Sequence, residues 1–235
     1  MNSFCFMRSI HRALLRNARW FGALCLALAP SLASPQALYT GTLVSNTDQP
    51  VFSSIPAVFA GQWLASPFLT GPAPAQLGSA TLFERTFWVE GSFWVMVYSD
   101  NNGVPGALLP NGNLSGPAMP VGDAYQTYSA TLPVFLDANT RYWIVAASDN
   151  PATHGGGYGW GWTNSREYTS DVGWSLFDYS AFTPDGGITW ISTETAPGRN
   201  PLLLSISGTI IPEPGFLSLI TPGLAFLLWK RRSRK

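Results

Sequence analysis

The chain has 235 residues, room for one ordinary domain plus processing segments, and a formal net charge of zero that conceals a separation of sign. Between residues 34 and 210 four arginines (Arg85, Arg141, Arg166, Arg199) stand against twelve acids and no lysine, a formal charge of −8 that disfavours nucleic acid and acidic lipid surfaces as partners. Only 11% of residues are charged while 14% are aromatic, which argues against disorder, and the two cysteines, Cys5 and Cys25, both precede that region and leave it without a disulfide or thiolate site.

The N-terminus reads as a secretory signal peptide over residues 1–33. Arg8, Arg12, Arg16 and Arg19 form a basic segment, ten apolar residues follow from Trp20 to Ala29, and Pro30 then breaks the helix. Ten apolar residues are too few for a permanent span, which needs about 20. Ser31 and Ala33 place small residues where signal peptidase needs them, so cleavage is expected after Ala33. A cut after Ala37 would set Pro35 in the −3 position, and Leu24 before Cys25 is the wrong residue for a lipidation site.

Residues 34–210 read as one all-β domain. Short apolar and aromatic runs are separated by Gly, Pro, Asn and Asp, without helical periodicity. Strands are expected over 82–89, 93–99, 125–132, 141–148, 157–163, 174–179, 188–192 and 202–210, where β-branched and aromatic residues concentrate. Asp100, Asn101, Asn102 and Gly103 directly follow one of them and predict a hairpin turn, since Asn-Gly suits two central residues at positive φ. The Pro- and Gly-rich stretches 66–74 and 104–120 are expected as surface connections.

Chemistry is sparsely signalled, and neither catalytic residues, nor a metal site, nor a cofactor is expected. His154 is the lone histidine after the leader and sits in a Gly-rich loop sequence; no nucleophile elbow, phosphate loop or His-Glu-x-x-His occurs. Asp100, Asn101 and Asn102 lack the remainder of a calcium loop. Glu84, Glu90, Glu167 and Glu194 supply carboxylates for glycoside hydrolysis, but no spacing selects a pair. Glu84 and Arg85 are neighbours on an expected strand and point to opposite faces, which suggests a sheet edge or surface for both. The clearest constellation is Tyr158, Trp160 and Trp162 alternating with Gly157, Gly159 and Gly161. Period two puts the three rings on one face. Facing outward they would stack sugars; facing inward they are core, and the glycines admit a closely approaching strand, which the usual burial of large aromatics favours.

Three segments carry a family resemblance. Residues 98–108 (Tyr-Ser-Asp-Asn-Asn-Gly-Val-Pro-Gly-Ala-Leu), 136–143 (Leu-Asp-Ala-Asn-Thr-Arg-Tyr-Trp) and 157–160 (Gly-Tyr-Gly-Trp) resemble the strand-turn segments of the choice-of-anchor R family. The resemblance covers about residues 55–207 and implies a jelly-roll-like β-sandwich upstream of a surface-anchoring tail, with no catalytic residues.

The tail, residues 211–235, has three parts in order: Pro212, Glu213, Pro214; the apolar run 215–229; and Lys230, Arg231, Arg232, Arg234, Lys235. Fifteen helical residues reach about 22 Å, short of a hydrocarbon core of about 30 Å, and Pro222 interrupts them. The basic end would stay cytoplasmic under the positive-inside rule. This arrangement resembles the PEP-CTERM sorting signal. The resemblance implies a Gram-negative, exopolysaccharide-producing host and an exosortase-type sorting enzyme as a partner alongside signal peptidase. It further implies passage through the inner membrane and a destination at the cell surface or in the extracellular matrix. The expected protein is thus a structural or interaction protein of the envelope, with a carbohydrate-binding module as the alternative and a glycoside hydrolase behind both.

Overall fold

The computed structural model describes residues 39–51, 55–86, 91–117, 122–151, 157–194 and 200–211. Its strands are β1 (Thr40–Ser45), β2 (Ala57–Val58), β3 (Trp63–Leu69), β4 (Ala75–Thr86), β5 (Phe93–Asp100), β6 (Pro105–Ser115) and β7 (Gly122–Leu136). They are followed by β8 (Arg141–Ser148), β9 (Tyr158–Trp160), β10 (Thr169–Ser170), β11 (Ser175–Leu176), β12 (Ala181–Thr183), β13 (Ile191–Ser192) and β14 (Leu204–Ile210). Among the described residues there is no helix, and the domain is all-β as expected. The expected leader and C-terminal apolar segment lie outside the described residues.

One antiparallel sheet runs in the order β10-β1-β14-β4-β7-β6-β5-β8-β3-β12-β13 and curls into a half-barrel. The curl has a local cause. Strand β4 is paired by β14 over Ala75–Leu82 and then, farther along, by β9 at Glu84–Thr86. Strand β9 pairs with β2, and a tight turn closed by the Phe59–Gln62 bridge leads from β2 into β3, so this short path links β4 to β3 across the curl.

Strand β8 shows how sequence sets depth. Tyr142 to Ala147 are at most 4% exposed, a continuous apolar run that can serve only where both faces are covered. Tyr142, Ile144 and Ala146 join the main core with Leu43, Phe68, Leu82, Val97 and Ile206. Trp143, Val145 and Ala147 face the other way into a second cluster, where Tyr179 and Ala181 cover them.

Strand β4 carries a register shift at Gly78, where its pairing jumps on both flanks. The shift reverses the alternation: Ala75 and Leu77 face inward before it, and Ala80, Leu82, Glu84 and Thr86 face inward after it. Without the bulge, Phe83 and Arg85 would occupy the core positions.

The turn after β5 forms as expected. Asn101 N donates to Val104 O at 2.8 Å, and Asn102 and Gly103 take φ of 54° and 88°. Two expected connections are corrected. Residues 66–69 belong to β3, deep in the sheet, and residues 105–115 form β6. Pro67 is tolerated because β12 pairs residues 63–65 of β3 and β11 pairs 68–69, which leaves that edge open at the proline. The strands expected over 157–163, 174–179 and 188–192 shorten to β9, β11 and β13, and β1, β2, β3, β6, β10 and β12 lie outside every expected strand.

Candidate functional site

The aromatic–glycine stretch is core. Tyr158 is 2% exposed and Trp160 fully buried, so neither ring offers a face to a sugar, and the sugar-stacking alternative is corrected for both. Trp162 is half-buried and packs against the same cluster. Trp160 Nε1 donates to Leu203 O at 2.8 Å, which meets the need of a buried indole. The glycines do what the inward alternative requires. A Cβ on Gly159 would lie 2.7 Å from Ile55 Cγ2 and 3.2 Å from Pro56 O, and one on Gly161 would collide with Phe83.

The same region holds the most unusual group in the domain. Glu84, expected at an edge or surface, is 1% exposed, because the β4 bulge turns it inward while Arg85 faces out and pairs bidentately with Asp123. Tyr128 Oη donates to Glu84 Oε2 at 2.9 Å. Glu84 Oε1 and, two residues along the same face, Thr86 Oγ1 have no hydrogen-bond partner among the described residues. Burial pushes the Glu84 carboxyl up to about 8 against the lowering effect of the Tyr128 hydrogen bond, so near neutral pH the group is mostly protonated. Burial and the neighbouring Glu84 also raise the Tyr128 phenol. A carboxyl with this affinity for protons suits general-acid chemistry, yet the core walls off Glu84 from any substrate in this conformation.

The accessible chemistry lies in two surface depressions. A depression of about 540 Å³ is bounded by Ser99, Asp100 and Asn101 at the end of β5, by Gly106 on β6, and by Ile188 and Trp190 before β13. A second, of about 270 Å³, is lined by Asn46, Arg166, Tyr168, Phe177 and Asp178 among others. Asp100 is held by three groups: its Oδ1 accepts from Trp143 Nε1 at 2.9 Å and lies 3.8 Å from Arg141 Nη1, and its Oδ2 accepts from Gly103 N at 3.3 Å. Arg141 Cζ sits 4.7 Å from the Phe177 ring centroid, a cation–π contact, and Arg166 pairs with Asp178 at 3.3 Å.

In the sequence Trp190 is open to the same choice between core and sugar stacking as the other rings, and nothing local marks Arg141 or Arg166 as a binding group. The available signal was scarcity, since these are two of only four basic residues in an acidic domain. Among the described residues no group of three His, Cys, Asp or Glu side chains is set to hold a metal. Ala33, His154, Glu90, Pro212, Glu213, Pro214, Lys230, Arg231, Arg232, Arg234 and Lys235 lie outside the described residues. A scan against models of protein families finds no match for this chain, and a search of curated proteins finds none either.

Proposed function

We propose that the chain is an exported, non-catalytic interaction protein of a Gram-negative cell envelope. Its leader is cut after Ala33, an exosortase-type enzyme sorts it at Pro212-Glu213-Pro214 on the inner membrane, and the domain ends at the cell surface or in the matrix among exopolysaccharide. The observation that carries this reading is the placement of the domain's two ends. Strand β1 lies antiparallel beside β14 with Thr40 opposite Thr209, and Ile210 N donates to Tyr39 O at 2.9 Å. The chain therefore enters and leaves the domain side by side, so a leader and a tail can be recognised and cut there with the sheet left whole.

The finer architecture goes with this reading. A jelly-roll-like sandwich is supported by a core that residues of β1, β4 and β14 share with residues of β3, β5 and β8.

The test replaces Pro212, Glu213 and Pro214 by alanine in a host that carries the sorting enzyme. The expected result is an uncut form retained in the inner-membrane fraction. Unchanged processing and unchanged location would sink the sorting assignment.

A further inference from the structure

One side chain touches the walls of both outer depressions. Arg141 reaches Asp100 in the larger one at 3.8 Å and lies over Phe177 of the smaller one at 4.7 Å. At about 540 Å³ the larger falls in the range of roughly 300–1,000 Å³ usual for small-ligand sites, and the smaller measures about 270 Å³.

The groups around them suit a flat, hydroxyl-rich molecule. Trp190 bounds one depression and the exposed Tyr168 bounds the other, so each offers an aromatic surface for the C–H face of a ring. Beside the aromatics stand planar polar groups, the exposed amide of Asn101 at the larger depression and the paired Arg166 and Asp178 at the smaller, which can exchange hydrogen bonds with hydroxyls. Gly106 keeps the larger depression open: a Cβ there would lie 2.9 Å from Ser99 Oγ and 3.1 Å from Asn101 Cβ, both on its wall. The turn that carries Asn101 is fixed by its own hydrogen bonds and by Asp100, which is anchored to Trp143, so little ordering remains to be done on binding.

Charge selects among polysaccharides. Both arginines are already matched by Asp100 and Asp178, Glu167 lies at the smaller depression, and the domain as a whole carries an acidic excess. A polyanion would be repelled, whereas an uncharged chain would not.

We propose that these depressions form one bipartite site for a neutral polysaccharide, with one sugar beside Trp190 and Asn101 and another beside Tyr168 and the Arg166–Asp178 pair. The proposal rests on the reading of the protein as a resident of the exopolysaccharide matrix and names its ligand.

The test is affinity electrophoresis of the protein as recovered from its host, through gels containing dextran, hydroxyethylcellulose or galactomannan, with alginate as the anionic comparison. The expected result is retardation in at least one neutral gel and none in alginate. Trp190→Ala and Asn101→Ala should each weaken it about tenfold or more. Arg166→Ala serves as the variant least able to disturb folding, its side chain being 69% exposed, and should also weaken retardation. No retardation of the folded wild type in any neutral gel, retardation by alginate alone, or equal retardation of all three folded variants would overturn the site. The variants should reach the same cell fraction as wild type, so loss of binding with unchanged location separates failure of this site from failure of the sorting assignment.

Discussion

Tyr128 donates its phenolic hydroxyl to Glu84 at 2.9 Å inside the core, and that hydrogen bond is the carboxyl's sole hydrogen-bond partner among the described residues. A folded-state carboxyl near 8, against an ordinary 4.5, makes stability fall as pH rises. Below about 4.5 the group is protonated in both states and costs nothing. Between 4.5 and 8 the unfolded chain gives up the proton and the folded chain keeps it, so the native state loses about 4–5 kcal/mol across that window. Urea midpoints at pH 5 and pH 8 should show this decline, and Glu84→Gln, which cannot ionise, should remove most of it. Equal slopes in both proteins would show that Glu84 is ionised in the fold.

Trp160 and Trp162 should separate in their cost. Trp160→Ala removes a fully buried ring and its bond to Leu203 O, and should destabilise by about 3–5 kcal/mol. Trp162→Ala, at a half-buried position, should cost clearly less. Chemical denaturation of the two variants side by side measures the difference.

Gly161→Ala places a methyl group against Phe83, and Gly159→Ala places one against Ile55 and the backbone carbonyl of Pro56, just before β2. Each should lower stability by about 1–3 kcal/mol through overpacking. Gly159→Ala should be the less easily relieved, since one of its neighbours is a backbone carbonyl. Thermal melts of both variants check the order.

The hairpin turn gives a smaller effect of known origin. Gly103 holds φ of 88°, so Gly103→Ala should cost about 1–2 kcal/mol through backbone strain alone. Asn102→Gly, at φ of 54°, should be near neutral or slightly stabilising. A reversed ranking in denaturant titrations would contradict the turn geometry.

The parts of the fold that were readable were those where local chemistry decides. Residues 141–148 form β8 at the bounds expected, because an uninterrupted aromatic and β-branched run leaves little choice, and the Asn102–Gly103 turn follows from backbone sterics. Strand β3 was hidden by Pro67, whose tolerance depends on how β11 and β12 divide one edge between them. Glu84 was misread for a related reason. Alternation correctly set it opposite Arg85, but the face that is inside is chosen by the Gly78 bulge, a product of pairing with β14 and β7. The outer depressions depend still more on long-range geometry: Asp100, Arg141, Phe177 and Trp190 are far apart in sequence and converge only when residues 174–194 fold across the sheet.

The most direct test of the account is the intact mass of the protein recovered from its host. The account predicts a chain that starts at Ser34 and lacks the residues following the Pro212–Pro214 motif, including the basic end from Lys230 to Lys235. A mass corresponding to residues 1–235, or to a chain that keeps this tail in a host with an active sorting enzyme, would contradict it.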